Sequence, residues 1–128
     1  MRERAGAMGP RILLVDDDPD ILVSTRFLIE SEGYQVTTAH NGREALDRIA
    51  VETPDVILLD LMMPVMDGWQ FVEELRKGPH AQLPIIILSA SHGLASKAQQ
   101  LGARGHISKP YDLDDLLRQI VPLVSRSN

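Results

Sequence analysis

The chain has 128 residues, 44% of them hydrophobic, with a formal net charge of −5 at pH 7 and no cysteine. That is the size of one ordinary domain, with enough apolar mass for a core. The acidic balance excludes sequence-independent binding to a nucleic-acid backbone, and the missing thiols exclude a disulfide framework or a thiolate metal site.

No apolar run approaches the roughly 20 residues that span a bilayer. Residues 1–9 (MRERAGAMG) are charged and glycine-rich and lack the apolar core of a signal peptide, so they read as a disordered tail. A folded domain is expected over 10–126, with 127–128 as the C-terminal end.

The first apolar run, Arg11 to Val15, reads as a strand. A helix follows from about Pro19 to Glu32, with Ile21, Thr25, Leu28 and Ile29 on one face and Gly33 as its stop. Tyr34 to Ala39 is a second, more polar strand. The second helix opens at Asn41, with Glu44 at capping-box spacing and Ala45, Leu46, Ile49 and Ala50 as its buried stripe. Val56 to Leu59 is the third strand. The third helix starts near Asp67, buries Phe71, Val72 and Leu75, and stops at Gly78-Pro79. Ile85 to Leu88 is the fourth strand, and Leu94 to Leu101 a helix closed by Gly102. His106 to Ser108 is a short fifth strand. A fifth helix starts at Asp112 and buries Leu116, Leu117, Ile120 and Val121, with Pro122 kinking or ending it.

Strand and helix thus alternate five times, the pattern of a parallel α/β sheet with right-handed crossovers. Five such strands fit a flavodoxin-like, doubly wound sheet in the order 2-1-3-4-5, with five helices on two faces. That order places the two polar strands at the edges. It makes strands one and three neighbours at the switch point, where ligands bind beside the carboxyl ends.

The carboxyl ends carry polar residues. They are Asp16-Asp17-Asp18 after the first strand, Asp60 after the third, Ser89-Ala90 after the fourth and Lys109-Pro110 after the fifth. An aspartate before a helix is an ordinary N-cap, and Asp18 ahead of Pro19 suits that role. Capping needs one carboxylate and does not account for Asp60 arriving beside the others. Clustered carboxylates with oxygen-only chemistry suit a hard divalent cation such as Mg²⁺. Lys109 at a strand end is placed to pair with Asp60 or with a phosphoryl group on it, and Ser89 to donate to a phosphoryl oxygen.

Taken together, Asp16-Asp17, LLDLMMPVMDG (Leu58 to Gly68), LSA (Leu88 to Ala90) and SKP (Ser108 to Pro110) resemble the receiver domain of two-component response regulators. The resemblance covers about Arg11 to Arg126 and brings in the single-domain, chemotaxis-regulator-like members. It implies a phosphoaccepting switch rather than an enzyme, one that assists its own phosphorylation and dephosphorylation. Asp60 would be the phosphoacceptor. Asp16, Asp17, Asp60 and the Met62 backbone carbonyl would hold Mg²⁺ (or Mn²⁺). Ser89 and Lys109 would serve the phosphoryl group, and Lys109-Pro110 would be cis.

The implied partners are a sensor histidine kinase or histidine phosphotransfer protein and a downstream protein target, with no nucleic acid, no membrane and a cytoplasmic location. The signalling face would be the fourth helix, fifth strand and fifth helix, including Leu94, Lys97, His106, Tyr111 and Asp114, and would also serve a homodimer. Three roles stand open for His106, which occupies the family's usual aromatic position. It is a moving ring, a pH-sensitive group or a plain exposed edge residue. Met62 and Ser91 imply slow loss of the phosphoryl group. The five units use the chain to about Ser125, as a single-domain regulator or a fragment.

The rival readings are a metal-dependent phosphatase of the haloacid-dehalogenase type, a flavin-binding module and a degenerate receiver used for docking. The first needs its nucleophile on the first strand and an acidic pair late in the chain. The second needs phosphate-binding amides where three carboxylates stand. The third is disfavoured by the complete set Asp16, Asp17, Asp60, Ser89 and Lys109.

Overall fold

Runs such as RILLV, VILLD and IIILS carry Leu, Ile and Val without polar alternation, and are stable as strands only when both faces are covered. The computed structural model describes residues 9–90 and 93–125. Its strands are β1 (Arg11–Val15), β2 (Gln35–Ala39), β3 (Val56–Asp60), β4 (Ile85–Ser89) and β5 (Gly105–Ser108). They form one parallel sheet in the order β2-β1-β3-β4-β5, the flavodoxin-like arrangement expected. Helices α1 (Pro19–Glu30), α2 (Gly42–Val51), α3 (Gly68–Lys77), α4 (Leu94–Leu101) and α5 (Leu113–Ser125) connect and follow them.

The two-residue period of the strands divides the core in two. Leu13, Val15, Ile57, Leu59, Ile85 and Ile87 point to one face, where Ala45, Ile49, Phe71, Leu75 and Ala98 from α2, α3 and α4 cover them. Ile12, Leu14, Val56, Leu58, Ile86 and Leu88 point to the other. There they meet Leu22 and Ile29 of α1 and Leu116, Ile120 and Val124 of α5. Register then decides what lies side by side at the carboxyl ends. Val15 pairs with Leu59, Asp60 with Leu88, and Ser89 with Ser108. Asp16, Asp60, Ser89 and Lys109 therefore emerge at neighbouring levels.

Each helix start is closed by a side chain where the sequence offers one. Asp18 accepts from the Asp20 amide ahead of Pro19, as expected. Asn41 accepts from the Glu44 amide, but Glu44 returns to the His40 amide at 2.9 Å rather than to Asn41, so the expected box is only half formed. Reciprocal pairs form instead at Asp67 with Gln70 and at Asp112 with Asp115, at the same spacing.

Three stripe assignments change. On α1, Leu22 is buried and Ile21 only half-buried, and the helix ends at Glu30, two residues earlier than expected. On α2, Ala50 is exposed, because the stripe follows Gly42, Ala45 and Ile49. On α5, Val121 is 43% exposed and Leu117 half-buried, while the helix continues past Pro122 to bury Val124. Its stripe is thus Leu116, Ile120 and Val124, a strict i, i+4 line.

Met1–Met8, Ser91, His92 and Arg126–Asn128 lie outside the described residues, as do the side chains of Leu94 and Ser125. Gly9, expected as the end of the tail, is described, and its carbonyl accepts from Gln35 Nε2 at 3.3 Å.

The α5 stripe gives a direct check. Ile120→Ala should cost about 2–5 kcal/mol in urea unfolding, whereas Val121→Ala, one residue on, should stay within about 0.5 kcal/mol.

Candidate functional site

Asp16 is the first residue after β1 and is fully buried, held there by its amide bond to the Ala39 carbonyl at 3.1 Å. Its Oδ1 accepts from the Asp18 amide at 3.0 Å, which turns the chain into α1 and leaves Asp17 exposed at the mouth. Asp60 ends β3 at 5% exposure, and its Oδ1 accepts from the Met62 amide at 3.1 Å. Carboxylate oxygens of Asp16, Asp17 and Asp60 all lie within 4.8 Å of one another. Ser89 is buried at the end of β4, and its carbonyl accepts from the Lys109 amide at 3.0 Å. The Lys109-Pro110 peptide is cis, as expected.

Lys109 reaches the acidic group from the far end of the chain. Its Nζ donates to Asp16 Oδ2 at 2.7 Å and to Asp60 Oδ2 at 3.4 Å. The pairing with Asp60 is present as expected, and the shorter contact is with Asp16. The reason is desolvation. Asp16 has no contact with water, and a buried carboxylate without a cation beside it costs several kcal/mol by rough estimate.

The charges shape the site's proton affinity. Burial pushes the Asp60 carboxyl above its ordinary value and the Asp16 charge adds to this, against the Met62 amide and Lys109, which favour the anion. Burial works against the Lys109 ammonium, but its bond to Asp16 and the charge of Asp60 outweigh that and raise its pKa.

The loop after Asp60 is held tightly. The Gly68 amide donates to the Leu61 carbonyl at 3.0 Å, and a Cβ on Gly68 would sit 2.7 Å from Leu61 Cα and 3.0 Å from the Asp60 carbonyl oxygen. Only glycine permits this approach. The Gly42 amide donates to the Met66 carbonyl at 2.9 Å and ties the loop to α2. Between these anchors Val65 adopts φ +66°, an unfavourable left-handed conformation for a β-branched residue. Met62 is 69% exposed beside the site, while Ser91, its expected counterpart, lies outside the described residues.

The expected signalling face is assembled in part. His106 and Asp114 are exposed and Lys97 is half-buried, but Leu94's side chain lies outside the described residues. His106 lines a cavity of about 320 Å³ between β5 and α5 with Ser108, Asp115, Arg118 and Gln119. Tyr111 departs from expectation. It turns inward against the α1/α5 core, and its hydroxyl bonds to Thr25 Oγ1 at 3.0 Å.

Residues 12–121 match the family model for the response regulator receiver domain. This chain belongs to that family. The response regulator MprA of Mycobacterium tuberculosis is 40% identical over 122 residues, which cover 94% of this chain and 53% of MprA. The chain therefore spans about half the length of the curated relatives it matches. The chemotaxis response regulator CheY4 of Vibrio cholerae aligns with a TM-score of 0.83 at 32% identity, over 91% of this chain and 99% of that one. The receiver domain of a sensor histidine kinase from Pseudomonas aeruginosa aligns with a TM-score of 0.83 at 30% identity, over 91% and 98%. That structure has a magnesium ion coordinated in its active site cleft.

Membership in the receiver family removes the phosphatase and flavin readings. This receiver domain is a two-component signalling module, and among its described residues no helix is long and apolar enough to cross a membrane.

Two outcomes follow for stability. An acid whose pKa is raised by folding binds its proton more tightly when folded, so folding gains as pH falls through that value and loses as the group ionises. Asp60→Asn should therefore raise Tm at pH 7 in EDTA, and the gain should shrink as the pH is lowered toward the ordinary carboxyl range. Val65→Asn should stabilise by about 0.5–1 kcal/mol in chemical unfolding, since Asn tolerates the left-handed region.

Proposed function

We propose that this receiver domain is a phosphoaccepting switch in which Asp60 takes a phosphoryl group from a histidine kinase or a histidine phosphotransfer protein. The observation that carries this reading is the convergence of one buried carboxylate, Asp60, with two further carboxylates and one ammonium at neighbouring strand ends. Phosphoryl transfer asks a protein mainly for positioning and for neutralisation of charge. A carboxylate oxygen of Asp60 attacks phosphorus. The new bond is an acyl phosphate, and the bond from phosphorus to the donor nitrogen breaks as the donor histidine leaves.

Lys109 offsets the charge of Asp60 and of the incoming phosphoryl oxygens. Ser89, at the end of the adjacent strand, donates a hydrogen bond to one of those oxygens. The donor set fits a hard cation, since Asp16, Asp17 and Asp60 bring carboxylate oxygens within 4.8 Å and no nitrogen or sulfur ligand. These residues, with the Met62 backbone carbonyl, would hold Mg²⁺ or Mn²⁺. When bound, that ion supplies positive charge against the phosphoryl oxygens. The P. aeruginosa relative, with magnesium in its cleft, supports the assignment.

The domain so defined runs over residues 10–126 and acts in the cytoplasm as a regulator rather than an enzyme, altering how a downstream protein binds. Its output face is formed by α4, β5 and α5, which in the phosphorylated state also serves a homodimer.

The wild-type protein should acquire an acid-labile phosphoryl group from acetyl phosphate with Mg²⁺ and lose that capacity in EDTA. Asp60→Asn should abolish the label, read by phosphate-affinity electrophoresis. Labelling of the Asp60→Asn variant at the wild-type level would sink the assignment. Asp17→Asn should weaken Mg²⁺ binding by about tenfold or more by calorimetry, since it removes one of three carboxylates.

A further inference from the structure

Lys109 needs a fixed backbone if its ammonium is to sit between two carboxylates. On its N-terminal side the backbone is fixed by its own amide, bonded to the Ser89 carbonyl at 3.0 Å. On its C-terminal side stands Pro110, which has no N–H and offers the backbone no such anchor. The next side chain is Tyr111. Its ring packs against the α1/α5 core, and its hydroxyl meets Thr25 Oγ1 at 3.0 Å.

Thr25 is itself 3% exposed, at the middle of α1. A helical hydroxyl usually satisfies itself on the preceding turn, as Ser24 does on the Asp20 carbonyl at 2.9 Å. Thr25 instead bonds across to another element. Helix α1 begins at the Asp18 cap, two residues after Asp16. The contacts therefore close a ring. Asp16 leads through Asp18 and α1 to Thr25, Thr25 to Tyr111, Tyr111 through Pro110 to Lys109, and Lys109 Nζ back to Asp16 at 2.7 Å.

We propose that the Thr25–Tyr111 hydroxyl pair is a positioning device that fixes the Lys109 ammonium on Asp16 and Asp60. Tyr111 and Thr25 touch neither the metal site nor the phosphoryl group, and act through Lys109. The consequence for phosphoryl transfer rests on the function proposed above, whereas the placement of Lys109 does not. The Tyr111 phenol is also held neutral, because burial raises its pKa and the nearby carboxylates of Asp16 and Asp60 do the same, against Thr25 and Lys109. It therefore remains a hydroxyl, with either oxygen of the pair able to donate.

The test removes oxygen and keeps shape. The chain has three lysines, Lys77, Lys97 and Lys109, so isotope-labelled lysine gives few side-chain methylene signals to assign. In Tyr111→Phe, and equally in Thr25→Val, the Lys109 signals should shift and narrow toward those of a mobile lysine, while those of Lys77 and Lys97 stay in place. The double variant should match the singles. Unmoved Lys109 signals in both variants overturn the proposal, and so does an equal shift of all three lysines, which reports loosened folding alone.

This readout needs no phosphoryl group. A wild type that takes no label would therefore count against the phosphoacceptor reading without touching this one. In labelling from acetyl phosphate with Mg²⁺, each single variant should lose on the order of fivefold in rate, the worth of one hydrogen bond, and lose nothing more in a Lys109→Met background. An equal loss in both backgrounds would mean that the pair acts apart from Lys109, against the proposal.

Discussion

The ion pair between Lys109 and Asp16 is the constraint around which the carboxyl end of the sheet is organised. Asp16 has no access to water, and Asp60 has almost none. Two carboxylates in that position repel each other and lose hydration, so each would be expelled or protonated without a cation nearby. The nearest cation is carried at the end of β5, 93 residues away in the chain. The sheet delivers it, with β1 and β3 as neighbours and β4 between β3 and β5. The topology and the charges therefore depend on each other. Buried pairs of this kind add little net stability compared with an apolar replacement. Their retention fits a site whose anions are used.

Much of this was legible in the chain because it follows from periods and ends. The continuous apolar runs of β1, β3 and β4 announced strands covered on both faces, and the polar runs of β2 and β5 announced edges. The stops at Gly78 and Gly102 are the caps of α3 and α4, whereas α1 ends at Glu30, ahead of Gly33. Once the order was in hand, the residue after each strand could be named. Asp16, Asp60, Ser89 and Lys109 then fell together without any knowledge of side-chain geometry. Asp18 as a cap was also legible, since a carboxylate directly before a proline has few other uses.

What was not legible depends on rotation and on contacts between distant elements. Val121 and Ala50 are apolar and one residue off the true stripe, and the pattern does not say which edge of a wide stripe faces inward. The continuation of α5 through Pro122 arises from tertiary support, as Val124 completes the line begun by Leu116 and Ile120. The left-handed Val65 could not be foreseen from a residue that disfavours that conformation. Its neighbours impose it through the bonds of Gly42 to Met66 and of Gly68 to Leu61. Tyr111 was placed on the signalling face because the family resemblance implied that face. Its inward turn depends on a threonine 86 positions earlier. The one signal available was Thr25 itself, a polar residue on the buried face of α1.

The unequal sharing of Lys109 gives the proposed switch a physical direction. The ammonium now stands 2.7 Å from Asp16 and 3.4 Å from Asp60. A phosphoryl group on Asp60 would replace its single negative charge with about two, one more on the more distant partner, and leave the nearer one unchanged. The balance of attraction for one ammonium then moves toward Asp60. Lys109 cannot follow freely, because its amide is bonded to the end of β4 and its next side chain is tied to α1. Part of the pull is therefore borne by β5 and by the turn into α5, the elements that form the proposed output face. Held loosely, the same lysine would answer by rotating its side chain, and the new charge would be absorbed within the site.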